Sequence, residues 1–222
     1  MTPAVGLVAA GLSTGAAAVA KRWLDTRGYR YDDEGDLRHR SHRWVLLALP
    51  LVVTSVALGQ LRAVGVVAAA VVGSLAAVLV VASAIDLDVR RLPDRFTKPL
   101  VPATALGLAL VALAHGEWSD WLRAMAAAAA VGAAYLVLAL VGGGNGLGLG
   151  DVKLAPTLGM LLGWHSWSHV VLGTVLAFVV GGLVGLVLIL RGRDRRSTLP
   201  FGPFMVGSCL TVLALPALGP LL

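Results

Sequence analysis

The sequence predicts an all-α integral membrane protein, a single domain over residues 1–222 with about eight transmembrane helices. Three observations predict it. Hydrophobic residues make up 58% of the chain and charged residues 14%, and the apolar residues fall in blocks long enough to cross a bilayer, which a soluble domain of this size does not need. Gly and Ala are abundant while aromatics are 6%, as in helices that pack through small residues where lipid gives no hydrophobic drive for association. Basic residues are confined almost entirely to alternate loops.

The apolar segments lie near 3–20, 44–59, 63–85, 99–114, 124–141, 152–167, 168–190 and 203–222. The first has no basic region before it and is followed by Lys21 and Arg22, the reverse of a secretory signal peptide, so it reads as a retained helix with its N-terminus outside. The second to fifth and the last two are plain apolar runs. The sixth reaches crossing length only with the residues around Asp151, which leaves a re-entrant segment open. Eight crossings place loops 21–43, 86–98, 142–153 and 191–202 in the cytoplasm, and these hold 16 of the 18 Lys and Arg residues. Only Arg62 and Arg123 fall elsewhere. Losing the sixth crossing would export Arg191, Arg193, Arg195 and Arg196, so the charges support it.

The six tryptophans, Trp23, Trp44, Trp118, Trp121, Trp164 and Trp167, stand at segment ends, where their rings favour the headgroup interface. Loop 21–43 mixes seven basic residues with Asp25, Asp32, Asp33, Glu34 and Asp36 and has no apolar periodicity; it reads as a solvated cytoplasmic connector. The net charge of +6 therefore concerns membrane sidedness and not nucleic acid. The single cysteine, Cys209, lies in an apolar run, which excludes an internal disulfide and a Cys-ligated zinc site. His39, His42, His115, His165 and His169 are dispersed and form no metal-ligand pattern.

Ionisable residues at the edge of a membrane span are costly and are functional candidates by default. Asp86 ends the apolar run 78–85, and Asp151 follows the glycine-rich run 142–150 and opens the next helix; the topology puts both on the cytoplasmic side. Pro93 biases Leu92 away from helical angles, so the helix carrying Asp86 is expected to stop near Arg91. Two carboxylates at one site tend to share a single proton. The ionised member can then activate water while the protonated member polarises a carbonyl, with no metal or covalent intermediate.

The pattern Ile85-Asp86, Arg90, Leu92-Pro93-Asp94, with Gly148-Leu149-Gly150-Asp151-Val152-Lys153 and the later Leu199-Pro-Phe-Gly-Pro-Phe204, resembles the prepilin leader peptidases, membrane aspartic proteases of the GxGD type. The resemblance spans roughly residues 45–215. It implies a peptidase of the bacterial cytoplasmic membrane that uses no cofactor and no metal, with Asp86 and Asp151 as the catalytic pair on the cytoplasmic side. Gly148, Gly150, Lys153, Arg90, Pro93 and Asp94 are its supporting motif residues. The substrates it implies are prepilins or pseudopilins, with a short basic leader, a glycine before the cut and an apolar helix after it. Asp88 is the rival for the first carboxylate, although the spacing to Leu-Pro-Asp favours Asp86; Asp88 and Asp94 are expected to be structural or solvated. Lys153 and Arg90 are placed to stabilise a nearby carboxylate.

Two other readings follow from the same residues. Asp86-x-Asp88 fits, superficially, a magnesium-dependent lipid-phosphate or prenyl transferase, which would need several carboxylates around one cation. A transporter would use Asp86 and Asp151 as ion or proton sites beside glycine-broken helices. Many bacterial members of the resembled family carry paired Cys-x-x-Cys motifs in an N-terminal cytoplasmic insertion associated with methylation of the new N-terminus. The 23-residue loop 21–43 contains none. Pilin matured by this chain alone is therefore predicted to lack a methyl group at its new N-terminus, and a one-methyl mass increment in mass spectrometry would overturn this.

Overall fold

The computed structural model describes residues 2–30, 41–142, 147–192 and 200–218. All eight apolar segments are helical: α1 Thr2–Asp25, α2 Val45–Ala63, α3 Val66–Val89, α4 Asp94–His115, α5 Trp118–Val141, α6 Leu149–His165, α7 Trp167–Leu190 and α8 Gly202–Ala214, with a 3-10 turn Leu215–Leu218 after α8. Among the described residues there is no strand. Five helices, α2, α3, α4, α5 and α7, are long and apolar enough to cross a membrane. Helix α6 has 17 residues and α8 has 13, so α6 is about 25 Å long at the usual helical rise. Tight reversals fall where glycine tolerates a positive φ, at Gly65 (φ 149°) between α2 and α3 and at Gly116 (φ 76°) after α4.

Helices α3 and α6 are the most enclosed. More than half of the apolar window of α3 is buried, against 22–39% for the other four long spans, and 11 of the 17 residues of α6 are buried. Small residues let α6 sink into α5. A Cβ on Gly159 would stand 2.8 Å from the Ala127 carbonyl oxygen, and one on Gly132 would stand 3.1 Å from Pro156 Cγ. Such contact through backbone is how helices associate in lipid.

Contacts between loops define two ends of the bundle. At one, Tyr29 and Arg30 reach Asp88, Arg95 donates to the Gly28 carbonyl, Lys153 pairs with Asp94, and Gly202 packs on Asp86. This carboxylate end gathers Lys21, Arg22, Arg27, Arg30, Arg43, Arg90, Arg91, Arg95, Lys98, Lys153 and Arg191, eleven of the thirteen described Lys and Arg residues. Asp32, Asp33, Glu34, Asp36, His39, Arg193, Arg195, Arg196 and Leu199 lie outside the described residues. Most described residues of loop 21–43 are exposed, but Tyr29 and His42 are buried and the Arg30 side chain is 4% exposed.

At the far end, Arg123 has a specific reason for being there. Its guanidinium donates to the carbonyls of Gly163 (2.7 Å), Trp164 and His165 (2.9 Å) and pairs with Asp120 at 2.9 Å. It thus caps the carbonyl-rich end of α6, whose last carbonyls have no helical partner. Trp164 closes that end and is 2% exposed, so it is a core ring, unlike Trp44, Trp118 and Trp167, which are exposed at segment ends as expected.

Helices α2 and α8 also meet through glycine. A Cβ on Gly59 would sit 2.6 Å from the Leu213 carbonyl oxygen, and Gln60 donates to that oxygen at 3.1 Å. Gly59→Val is expected to destabilise the protein by about 1–3 kcal/mol through overpacking, read as a lowered Tm in detergent. Gly182→Ala, where an added Cβ meets nothing within 4 Å, is expected to leave Tm unchanged or raised.

Candidate functional site

Asp86 lies in the last turn of α3, which ends where Arg90 adopts a left-handed conformation (φ 55°) and its N–H closes on the Asp86 carbonyl at 2.8 Å. The stop comes two residues before the expected one. Pro93, extended, then starts α4, and between the two Leu92 turns inward and is 5% exposed. Asp151 lies in the first turn of α6; its Oδ2 accepts the Gly148 N–H at 3.2 Å while its own N–H donates to the Gly148 carbonyl at 3.0 Å. Both carboxylates are buried, Asp86 at 4% and Asp151 at 7% exposure, and they lie within electrostatic reach of each other. Tyr135 of α5 is also within electrostatic reach of Asp151.

Three backbone segments converge on this pair because glycine lets them. A Cβ on Gly150 would stand 3.1 Å from Leu92 Cβ and 3.5 Å from its backbone nitrogen. A Cβ on Gly202 would stand 2.6 Å from Asp86 Oδ2 and 3.4 Å from Leu92 Cδ1. Leu92 is therefore the plug between the glycines of α6 and α8, and Gly202 lays bare backbone against the Asp86 carboxyl. Asp86 Oδ2 is buried and makes no hydrogen bond of normal geometry among the described residues, and the polar group that faces the Asp86 carboxyl is the Gly202 backbone N–H. Buried carboxyl oxygens seldom stay unpaired without a functional reason.

Asp88 is in the opposite situation. Its Oδ2 accepts the Tyr29 hydroxyl at 2.5 Å, Arg30 Nε at 3.1 Å and Arg30 Nη2 at 2.7 Å. Burial and then the hydrogen bond to Asp88 raise the Tyr29 phenol pKa above its ordinary value. Burial opposes the charge on Arg30, but its bond to Asp88 prevails and holds the guanidinium pKa above the usual range. Asp88 Oδ2 is thus committed to Tyr29 and Arg30, which weakens the Asp86-x-Asp88 magnesium reading. Among the described residues no three His, Cys, Asp or Glu side chains gather as a metal site. His165 meets Gln60 at 3.1 Å, at the far end.

Lys153 meets a nearby carboxylate, that of Asp94, whereas Arg90 contributes through its backbone. Lys153 pairs with Asp94, which also binds Lys98 at 2.9 Å, and not with either member of the carboxyl pair. It thereby ties the first turn of α4 to the first turn of α6. Arg90 is exposed and serves through its backbone, as the cap of α3. Gly148, Gly150 and Pro93 stand in the turns that bring the segments together. Sequence reasoning did not place Gly202, Leu92, Tyr29 or Arg30 in the site. For Gly202 the signal was present in the Pro-Phe-Gly-Pro run; for Tyr29 and Arg30 no local signal exists.

A sequence model described as "Type IV leader peptidase family" matches residues 73–186, which include Asp86 and Asp151. The chain is 40% identical over 131 residues to a protein of Burkholderia pseudomallei named prepilin leader peptidase/N-methyltransferase, covering 55% of this chain and 39% of the relative. Proteins of the same name from Aeromonas hydrophila and Pseudomonas putida are 37% and 34% identical over 125 and 128 residues, covering 54% and 55% of this chain and 41% and 42% of the relatives. The match thus spans about two fifths of the length of these curated relatives. No solved structure matches the chain.

The Asp88 network gives a stability prediction. Arg30→Met leaves a buried carboxylate without its cation and is expected to cost about 3–5 kcal/mol. The double variant Arg30→Met/Asp88→Leu is expected to be more stable than Arg30→Met alone, as read by denaturation of the detergent-solubilised protein.

Proposed function

The chain belongs to the type IV leader peptidase family, and from that premise we propose that it is a membrane aspartic endopeptidase that removes the leader from type IV prepilins or pilin-like proteins, with Asp86 and Asp151 as its catalytic pair. The observation that carries this reading is the pair of buried carboxylates within the matched span, neither of them with a side-chain cation bound to it among the described residues. Only the peptidase half of the relatives' name is extended to this chain; its sole cysteine, Cys209, is buried in α8.

The chemistry follows from one proton shared by two acids. A water between the carboxyls gives a proton to the ionised member and attacks the scissile carbonyl carbon. The protonated member donates to the carbonyl oxygen as the tetrahedral intermediate forms, and its collapse passes a proton to the departing amine. Burial favours the singly charged pair, since two negative charges in one low-dielectric site repel strongly. The concentration of basic residues at the carboxylate end supports a cytoplasmic placement of the site, the side on which a basic leader stays.

Asp86→Asn and Asp151→Asn are each expected to abolish leader cleavage of a co-expressed prepilin, scored by mobility shift, while the protein remains folded in the membrane. The double variant is expected to be no worse than either single one, because residues acting as a unit are not additive. Asp94→Asn is expected to retain activity, and cleavage is expected to survive EDTA. Gly202→Ala, which sets a methyl group against Asp86 Oδ2, is expected to lose at least about tenfold in kcat, as misplacement of a reacting group by about 1 Å can cost still more. Full cleavage by Asp151→Asn would overturn the mechanism.

A further inference from the structure

A second feature adjoins the carboxyl pair. Between α2 and α8, floored by α3, runs an apolar groove of about 510 Å³. Along α2 its wall is formed at Trp44, Ala48, Leu51 and Ser55, a single helical stripe. Along α8 the wall is Pro203, Gly207, Leu210 and Ala214, again one stripe. Twelve residues on each side, eleven helical rises from first to last, correspond to a groove about 17 Å long. It narrows where α2 and α8 touch at Gly59 and Leu213. At the other end it reaches Leu87 and Pro203, the chain neighbours of Asp86 and Gly202.

The chemistry of the walls restricts what fits. Three hydroxyls face the groove, yet each is satisfied within its own helix: Ser55 donates to Leu51 (2.8 Å), Ser83 to Leu79 (3.0 Å) and Thr211 to Gly207 (2.8 Å). Apart from the Trp44 indole at the end of the groove, the walls present no side-chain donor that lacks a partner. An extended peptide laid there would leave its backbone groups unpaired in an apolar setting, whereas a helix satisfies its own. A groove of helical stripes that starts beside the reacting groups and runs into the bilayer matches an apolar helix that continues from the scissile bond.

We propose that the α2–α3–α8 groove is the docking site for the membrane helix of the substrate, and that it sets the scissile bond at the level of Asp86 and Asp151. The proposal rests on the peptidase reading above. It makes Gly207 a specificity-determining position: it lies on the exposed rim of the groove, and an added Cβ there meets nothing within 4 Å, so a larger residue fills the groove and leaves the helix packing intact.

The test uses the full chain in lipid nanodiscs with a type IV prepilin as substrate. Gly207→Leu is expected to raise KM about tenfold with kcat changed less than about threefold, the signature of lost uniform binding. Gly207→Ala should show a smaller rise, and Val179→Leu, on the exposed face of α7, none. In the Asp151→Asn protein, a photocrosslinker at position 207 is expected to label the apolar helix of the prepilin, mapped by mass spectrometry. Labelling of lipid alone, or an unchanged KM for Gly207→Leu, with a wild-type chain that cleaves prepilin, would overturn the groove and leave the peptidase reading standing. A wild-type chain that does not cleave prepilin would overturn both.

Discussion

Two buried acids within electrostatic reach of each other, with no cation bound to either among the described residues, set the terms for this end of the bundle. Removing a carboxylate from water costs several kcal/mol even after relaxation, roughly offset only when a partner charge or several donors are present. Asp151 has one backbone donor, from Gly148, and the Asp86 carboxyl faces the Gly202 backbone N–H without a bond of normal geometry. The surrounding helices supply the compensation. Helices α3 and α6 are the most enclosed in the bundle, and their packing holds together a pair that electrostatics alone would drive apart.

Two basic side chains at this end are engaged by other acids. Arg30 is bound to Asp88 and Lys153 to Asp94, so two acidic residues of the same motif stretch occupy the cations that would otherwise neutralise the site. The two engagements differ in weight. The Arg30–Asp88 pair is buried, with side chains 4% and 1% exposed, and its loss leaves an uncompensated charge. The Lys153–Asp94 pair is about 40% exposed on both sides, and such surface pairs contribute little to stability.

Hydropathy and charge made the eight helices and the shared end of their basic loops legible, because both are local properties of the chain. The same holds for Asp86 and Asp151, which stand out as acids at the ends of apolar runs. What could not be read depends on partners far apart in sequence. Asp88 meets Tyr29 and Arg30 across 59 and 58 residues, and nothing in loop 21–43 distinguishes those two from their solvated neighbours. Arg123 looks like a misplaced charge until the end of α6, some 40 residues on, is brought to it. Trp164 shares its position at a segment end with five other tryptophans, and only enclosure of α6 separates it from them. Gly202 carries no chemistry of its own and becomes part of the site through the space it does not fill.

Leu92 has a consequence for how the site can vary. It touches Gly150 of α6 and Gly202 of α8 at once, so the size of any one of the three residues limits the other two. Substitutions across such a contact are not additive. A change tolerated in one sequence background will fail in another that differs at either partner. Segments exchanged between relatives one at a time would inherit a mismatched plug, whereas the turn at Leu92 and the two glycine loops, moved together, form a transferable unit.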